Sequence, residues 1–376
     1  MIATDHAVVL GGGIVGAACA LELAQAGLRV TVVEQDMIGG GATAAGMGHI
    51  VTMDDTPAQF ALSSYSQSLW SQLAPELPSN VEYAQCGTIW VATDEEEMCE
   101  VHRKLDYYLS RGSSAEVLDS EALAAAEPNL RRPLAGGLLV RSDAVLYPPC
   151  AAAYLLQEAL RHNTKTIFDT AVSAANGRVQ LKSGGTIHAD IIINATGALS
   201  PALSPGLQVK KRKGHLIITD RYPGYVRHQL VELGYLKSAH SVATDSVAFN
   251  VQPRATGQIL IGSSRQYGAE DSGVDQGILA AMIARAALYM PSLPSLSALR
   301  VWTGFRAATP DKLPLIGPTE DRTMFLATGH EGLGITTSLA TARLLADHLL
   351  NRPSAIPLAP YLPTRFSRPA IEMAHA

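Results

Sequence analysis

Residues 6–34, HAVVLGGGIVGAACALELAQAGLRVTVVE, decide the fold of this chain. A short apolar run enters a glycine turn, a helix follows, and a second β-rich run ends at Glu34. Gly11, Gly13 and Gly16 have the spacing G-x-G-x-x-G. The first glycine permits the tight turn, the second lets the backbone approach a pyrophosphate, and the third lets the helix pack closely on the strand. The pattern predicts a strand–helix–strand unit that binds a dinucleotide at the helix N-terminus.

The carboxylate of Glu34 narrows the choice of dinucleotide. It lies about 20 residues past the glycines, where an acidic side chain can accept hydrogen bonds from ribose hydroxyls. A 2′-phosphate would be repelled there, so NADP is disfavoured. The motif alone does not separate FAD from NAD, and a glycine-rich turn without a ligand is the alternative interpretation.

A second stretch rich in small residues follows at positions 37–49, MIGGGATAAGMGH. Its small side chains leave room for a flat ring system, and Thr43 offers a hydroxyl group to a phosphate. A flexible linker is the alternative, but linkers favour serine and other polar residues. We therefore expect a large ligand to pack against the backbone here.

Composition and charge exclude several classes of protein. The chain has 376 residues, of which 47% are hydrophobic, so it can bury a large core and form two domains, which an interleaved chain path could also build. Its formal net charge is −5, and its longest basic run, residues 210–213, is interpreted as a solvated loop or strand edge. Nucleic-acid binding, which needs a sustained positive surface, is not expected.

The cysteines and the apolar runs bear on metal binding and location. Cys19, Cys86, Cys99 and Cys150 are scattered and form no C-x-x-C pair, so we predict no metal or iron–sulfur centre in this chain. Scattered thiols without a secretion signal favour the reducing cytoplasm. No run is long enough to span a membrane. We expect a cytoplasmic protein, with peripheral membrane association left open.

The second half of the chain carries further strand and glycine patterns. The apolar run IIINATG, residues 191–197, is typical of a central parallel strand with a ligand at its carboxyl end. Three longer strand-like runs between residues 216 and 262 indicate an antiparallel sheet in a second domain. Gly329, Gly332 and Gly334 then precede the final helix. The N-terminus of that helix could stabilise negative charge on a bound group, although a plain helix start is the alternative.

Together these motifs identify a family resemblance that covers nearly the whole chain. The segments at residues 6–34, 39–50 and 191–197, with TGFRAATPDKLPLIG (303–317) and GHEGLGITTSLATARLLADHL (329–349), resemble the D-amino-acid oxidase-like superfamily of FAD-dependent oxidoreductases. Residues 41–55, followed by LYPPCAAAYLL (146–156), look most like the FAD-bearing β subunits of bacterial D-hydroxyproline dehydrogenases. They are also similar to hydrogen cyanide synthase subunits.

The resemblance implies an α/β fold. A Rossmann-like, glutathione-reductase-like FAD-binding domain would be interleaved with an α+β substrate domain built on an antiparallel sheet. The implied FAD-binding segments are residues 1–80, 144–212 and 301–376, the last including a C-terminal tail. The implied substrate-domain segments are residues 81–143 and 213–300.

The resemblance also assigns roles to residues at the matching positions. Ile14 and Val15 would contact the pyrophosphate, and Val172 would touch the adenine through its backbone. FAD should be bound non-covalently, because residues 303–311 lack the cysteine that carries the flavin in some relatives. The complete implied cofactor-binding set is Gly11, Gly13, Ile14, Val15, Gly16, Glu34, Gln35, Ala42, Thr43, Ala45, Gly46, Met47, Gly48, Val172, Thr196, Gly197, Gly329, Gly332, Leu333, Gly334, Ile335 and Thr336.

Arg306 and His49 are the candidate catalytic residues. A guanidinium group binds a carboxylate through two parallel hydrogen bonds, so Arg306 could hold a substrate carboxylate near the flavin; a structural ion pair is the alternative. His49 and His330 either face the flavin ring or pack in the core. Other candidates are weaker: Tyr225, Tyr235 and Phe249 could close the pocket or be core residues, and Asp311 fits a turn better than a base.

The implied activity is oxidation of an amino or imino acid to the imine, with hydride transfer to flavin N5 and no dedicated general base. D-hydroxyproline or a similar small or cyclic amino acid is the best candidate substrate. Electrons would pass to partner redox subunits, a ferredoxin-like chain and a second flavin subunit, or to a quinone. Two alternatives remain: a stand-alone glycine or sarcosine oxidase that uses O2 and releases H2O2, and a non-catalytic flavoprotein scaffold.

Overall fold

The computed structural model describes residues 5–234 and 245–366. Within these ranges the strands are β1 (His6–Leu10), β2 (Arg29–Glu34), β3 (His49–Ile50), β4 (Thr88–Ala92), β5 (Glu116–Asp119), β6 (Gly136–Val140), β7 (Ala144–Val145), β8 (Thr164–Phe168), β9 (Ala171–Ala175), β10 (Arg178–Leu181), β11 (Thr186–His188), β12 (Ile191–Asn194), β13 (Lys210–Thr219), β14 (Gln229–Glu232), β15 (Ser246–Pro253), β16 (Ile259–Tyr267), β17 (Ala298–Ala308), β18 (Leu315–Pro318), β19 (Met324–Thr328) and β20 (His330–Glu331). The helices are α1 (Ile14–Gln25), α2 (Gly41–Ala44), α3 (Pro57–Leu73), α4 (Glu95–Leu109), α5 (Ser120–Ala126), α6 (Pro148–Leu160), α7 (Ser200–Leu203), α8 (Gln276–Tyr289) and α9 (Gly334–Leu349).

A six-stranded sheet contains the glycine turn at the start of the chain. Its strand order is β18-β19-β12-β1-β2-β8, and all neighbours are parallel except β18 and β19. β1 and β12 are buried along their length and apolar except for His6 and Asn194, as expected for central strands covered on both faces. The helix α1 packs between α6 and α9, and their small and aliphatic side chains form the main core. The predicted strand–helix–strand unit is present.

A nine-stranded sheet forms the second layer of the molecule. Its strand order is β20-β17-β13-β16-β15-β14-β4-β6-β5, and every neighbouring pair is antiparallel except β14 and β4. Helix α8 packs on β15 and β16, and its buried residues join a second core. The expected α/β class, with a mostly antiparallel second sheet, is confirmed.

The chain passes repeatedly between the two sheets. Strands β4 to β6 lie in the nine-stranded sheet, β8 and β12 return to the six-stranded sheet, and β13 to β17 lie again in the larger one. The domain boundaries proposed at residues 212 and 300 fall inside β13 and β17. The strands of the larger sheet therefore run past both proposed boundaries.

The basic run at residues 210–213 corrects one expectation. It is the first part of β13, which lies between β17 and β16 in the nine-stranded sheet, and not a solvated loop or strand edge. Arg212 and Lys213 are buried and form ion pairs with Glu331 and Asp271. Opposite charges contributed by distant segments make this burial tolerable, and a run of like charges in the sequence does not reveal them.

None of the helices in the two described ranges is both long enough and apolar enough to cross a membrane.

Candidate active site

A cleft of about 850 Å³ is lined by residues from both sheets. Leu10, Glu34 and Ala195 line it at the carboxyl ends of β1, β2 and β12, where open α/β sheets bind their ligands. Strands β4, β13, β14, β15 and β17 contribute further lining residues from the larger sheet. The cleft thus lies between the carboxyl edge of the six-stranded sheet, where nucleotides bind in such folds, and the nine-stranded sheet.

The glycine turn brings the first strand and helix into close contact. Gly11 has a φ of 101°, and a Cβ atom there would lie 2.8 Å from the carbonyl oxygen of Ala195. A Cβ atom at Gly16 would overlap the carbonyl oxygen of Gly11. Any larger residue at either position would force α1 away from the sheet edge. The turn therefore has the geometry of a close-packed phosphate cradle.

Two polar side chains hold this glycine turn and the start of α1 in place by accepting hydrogen bonds from backbone N–H groups. The Glu34 carboxylate accepts hydrogen bonds from the Gly12 N–H at 2.6 Å and the Asp36 N–H at 2.9 Å, and it also lines the cleft. The Thr43 hydroxyl accepts a hydrogen bond from the Ile14 N–H at 3.0 Å. Thr43 thus joins α2 to the N-terminus of α1, while Glu34 holds the glycine turn in place.

Most of the predicted cofactor-binding residues come together along the cleft. Those that line it are Gly11, Gly13, Ile14, Val15, Glu34, Gln35, Ala42, Thr43, Ala45, Gly46, Met47, Gly48, Thr196, Gly197, Gly332, Leu333, Gly334 and Ile335. Gly16, Gly329 and Thr336 lie behind this surface. Gly16 serves strand–helix packing, Gly329 has a φ of 77° between β19 and β20, and Thr336 donates a hydrogen bond to the His49 carbonyl at 2.8 Å.

Val172 is not among the lining residues. It is 51% exposed on β9, and the preceding residues Asp169, Thr170 and Ala171 line the cleft instead. The strand β8 ends at Phe168 and β9 begins at Ala171, so it is the turn between these two strands that lies at the cleft.

His49 and His330 both line the cleft. Burial lowers the pKa of His49 to about 4, and the positive charge of Arg306 contributes in the same direction. Burial lowers the pKa of His330 to about 3, and its Nε2 lies 3.0 Å from the hydroxyl of Thr341. Both rings are uncharged at neutral pH. Their pKa values are too low for a general base at that pH, so we assign them hydrogen-bonding and packing roles.

Basic side chains dominate one wall of the cleft. Arg306, Arg265 and Lys211 line it, and the Arg306 Nη1 donates a hydrogen bond to the Ser264 carbonyl at 2.9 Å. The Glu331 carboxylate pairs with Arg212 and lies 3.9 Å from the Nε of Arg265. Lys211 also pairs with Glu270 at 2.7 Å, so these four cations face two acids, and their excess favours an anionic substrate group.

A polar sheet face, formed by Thr88, Trp90, Gln229 and Asn250, lines the cleft from further strands of the same sheet. These residues are buried, and pairing of β4, β14 and β15 brings them together: Thr88 is opposite Gln229, and Val231 is opposite both Trp90 and Asn250. Within the described chain, the Trp90 Nε1, the Gln229 Oε1 and the Asn250 Oδ1 have no hydrogen-bond partner. Sequence reasoning missed the polar sheet face, because its four residues are far apart in the chain and share no motif.

The predicted aromatic lid is not formed by the residues that the structure describes. Phe249 stacks on Tyr289 in the second core with ring centroids 4.4 Å apart, and the Tyr225 hydroxyl bonds to Ser292 at 2.7 Å. Tyr235 lies outside the described residues. Asp311 accepts a hydrogen bond from the Leu313 N–H at 3.1 Å, as a turn residue does. Trp90 is an aromatic residue that does line the cleft.

The cleft fits an extended dinucleotide that ends in a flat ring. Its volume of about 850 Å³ lies in the usual range for cofactor sites. The glycine cradle, Glu34 and the N-termini of both α1 and α9 line it. Small residues of the stretch at positions 37–49 line it as well.

A protein-family model for FAD-dependent oxidoreductases, named DAO, matches residues 6–348. The chain belongs to the DAO family. The resemblance to this family, the enzyme class of FAD-dependent oxidoreductase and FAD as the cofactor are thereby confirmed.

Curated relatives and solved structures agree with membership of the DAO family. Glycine oxidase of Geobacillus kaustophilus is 29% identical, over 95% of this chain and 96% of that protein. Hydrogen cyanide synthase subunit HcnC of Pseudomonas aeruginosa is 28% identical, over 96% of each chain. The crystal structure of the Geobacillus glycine oxidase superposes with a TM-score of 0.85 at 26% identity, covering 96% of this chain and 99% of that one.

Proposed function

We propose that this DAO-family protein is a dehydrogenase that oxidises a small amino or imino acid at its α carbon, with D-hydroxyproline as the best candidate substrate. The observation that carries the proposal is the cleft itself. Arg306 lines the cleft beside Gly332, in the turn that leads into α9, and the polar sheet face lines it from other strands. An amino acid matches both features: its carboxylate would meet Arg306, and a polar side chain would meet the polar sheet face.

Bound FAD would supply an acceptor for two electrons and one hydrogen, taken from the substrate α carbon as hydride. The substrate must then lose its α C–H bond, form a C=N bond with the nitrogen lone pair, and release one proton from nitrogen to water. We assign no residue as the base for that proton. A neutral amine has its lone pair available, and alignment alone can contribute about 7–11 kcal/mol to lowering the barrier.

The chain's own residues would bind and orient the substrate. Arg306 binds the carboxylate, because a guanidinium group offers two parallel donors and the surrounding wall is positively charged. His49 stays neutral at physiological pH and therefore adds no charge near the reacting carbon. FAD is held without a covalent bond in this proposal, which is supported by the absence of cysteine from the cleft lining within the described residues.

The polar sheet face favours a substrate larger than glycine. Leaving a buried donor or acceptor unpaired costs about 1–3 kcal/mol, so such atoms are usually satisfied by water or by a ligand. The Gln229 and Asn250 oxygens and the Trp90 N–H could pair with a hydroxyl group on the substrate ring. Glycine has no group that could reach them.

We propose that electrons leave to a partner redox subunit or to a quinone. The similarity to HcnC, which is named as a subunit, supports a hetero-oligomer. The ferredoxin-like and second flavin chains in this proposal rest on the family resemblance alone. Purification from the native host is expected to recover such partners. Recovery of this chain alone, with fast peroxide release in air, would contradict the hetero-oligomer.

The deciding experiment is anaerobic mixing of the yellow protein with D-proline, trans-4-hydroxy-D-proline, glycine and sarcosine. Bleaching of the flavin absorbance should be fastest with the hydroxylated ring. Faster reduction by glycine or sarcosine, with steady H2O2 production in air, would indicate the oxidase instead. Absence of bleaching by every compound would indicate a scaffold flavoprotein.

A further inference from the structure

The side chain of Arg306 takes a long path across the nine-stranded sheet. Arg306 is on β17, opposite Arg212 on β13, and its Nη1 donates to the carbonyl of Ser264 on β16. β13 lies between β17 and β16. The guanidinium group must therefore cross β13 to reach its hydrogen-bond acceptor.

The crossing point is Gly214. This residue is two positions from Arg212, so it is on the same face of β13 and diagonal to Arg306. A Cβ atom at Gly214 would lie 3.0 Å from the Cζ and Nη2 of Arg306 and would overlap Nη1. The guanidinium group thus lies directly over the backbone of Gly214, in space that any other side chain would fill.

The residue opposite Gly214 is also a glycine. Gly304 on β17 pairs with Gly214, and a Cβ atom at Gly304 would overlap the Cβ of Ala45, next to α2. The absence of a side chain at Gly304 therefore leaves room for the small-residue stretch at positions 37–49, which is proposed to line the cofactor. The absence of a side chain at Gly214 leaves room for Arg306, which is proposed to bind the substrate carboxylate.

We propose that Gly214 is a positioning residue for substrate binding: its missing side chain opens a direct route from β17 to the Ser264 carbonyl and so sets the position of the Arg306 guanidinium. This inference rests on the proposed function, in which Arg306 binds the substrate carboxylate. In a Gly214→Ala protein the guanidinium, as the far end of a flexible side chain, moves while the strands stay in place.

The test compares wild type, Gly214→Ala, Arg306→Gln and the double variant as FAD-loaded proteins. The probe is pyrrole-2-carboxylate, a planar ring acid without an α C–H bond to lose, titrated against the flavin absorbance spectrum. A charge-assisted carboxylate contact corresponds to about 10- to 100-fold in affinity. Each single variant should lose binding in that range, and the double variant should bind no more weakly than Arg306→Gln alone.

Two further measurements separate positioning from general damage. FAD content and melting temperature should be unchanged in Gly214→Ala. Rapid mixing with D-proline should show a raised dissociation constant with a smaller change in the limiting rate of flavin reduction. Gly185→Ala is the matched control, because a Cβ atom there meets only ordinary contacts at 3.6 and 3.9 Å; it should behave as wild type.

The outcomes distinguish the inference from the function on which it rests. Unchanged probe binding in Arg306→Gln would contradict the carboxylate contact itself. Weakened binding in Arg306→Gln with normal binding in Gly214→Ala, or losses that multiply in the double variant, would overturn the role of Gly214. Should Gly214→Ala fail to fold, folding of the double variant would support the clash with Arg306, and failure of both would overturn it.

Discussion

At the scale of single residues, burial decides the charge of the histidines in the cleft. His330 has a pKa of about 3 because its ring is removed from water, with Thr341 as a neutral hydrogen-bond partner. In the unfolded chain a histidine has a pKa of about 6.5. The unfolded state therefore binds more protons than the folded state between these values, and stability falls as the pH drops through that window.

We predict that His330→Asn reduces the acid sensitivity of the apoprotein. Between pH 7 and pH 5, protonation of His330 in the unfolded state should remove about 2 kcal/mol of stability from the wild type, and the variant should not show that loss. Urea unfolding at several pH values measures the difference. Thr341→Val is the control: it removes the hydrogen-bond partner but keeps the titrating ring, so the pH dependence should persist. An equal pH dependence in His330→Asn and wild type would contradict the assignment.

At the scale of elements, one buried ion pair fixes α4 to the rest of the chain. The Lys104 ammonium pairs with Asp54, and both side chains are almost fully buried. The same ammonium lies 4.4 Å from the centroid of the Trp90 ring, which belongs to the polar sheet face. Removing one partner of a buried pair leaves an uncompensated charge, which is far more destabilising than losing an exposed pair.

We predict that Lys104→Met lowers the free energy of unfolding by about 3–5 kcal/mol, because Asp54 loses its buried partner and keeps, among the described residues, only the exposed Arg103, 3.8 Å away. Adding Asp54→Asn should recover a large part of this loss. Arg141→Met, which breaks an exposed pair with Glu116, should cost less than about 1 kcal/mol. Chemical denaturation of all four proteins provides the comparison, and a loss of similar size in Lys104→Met and Arg141→Met would contradict the prediction.

At the scale of the whole molecule, the proposed cofactor cleft brings together segments from both ends of the chain. The cleft is lined by residues between Leu10 and Ile335, drawn from both sheets. A ligand that binds only where these parts meet stabilises the folded state over the unfolded state by mass action. FAD should therefore act as a structural element as well as the redox group.

We predict that FAD raises the melting temperature of the apoprotein in a concentration-dependent way. At a free concentration 100 times the dissociation constant, the stabilisation is about 2.7 kcal/mol, or about 3 °C given typical unfolding entropies for a chain of 376 residues. A thermal scan across an FAD titration tests this. ADP, which contains only part of FAD, should raise the melting temperature less at the same multiple of the FAD dissociation constant. A melting temperature independent of FAD would exclude the proposed cleft as the binding site.

The sequence alone determined the nucleotide end of this protein. The spacing of Gly11, Gly13 and Gly16, the acid at Glu34 and the glycines before α9 are local patterns, and each acts through backbone geometry within its own segment. Local backbone geometry can be predicted from residues that are close together in the sequence. These motifs predicted a dinucleotide site, and the family resemblance implied the fold class and FAD; the fold class and FAD were confirmed.

Only the tertiary structure decided the substrate end. The polar sheet face exists because β4, β14 and β15 pair, the charges of the run at 210–213 are neutralised by Glu331 and Asp271, and the path of Arg306 depends on Gly214 lying beside β17. These contacts join positions far apart in the chain, so which atoms meet depends on strand register and not on local spacing. That dependence is why motifs could indicate a dinucleotide site and could not show the proposed pocket for the substrate.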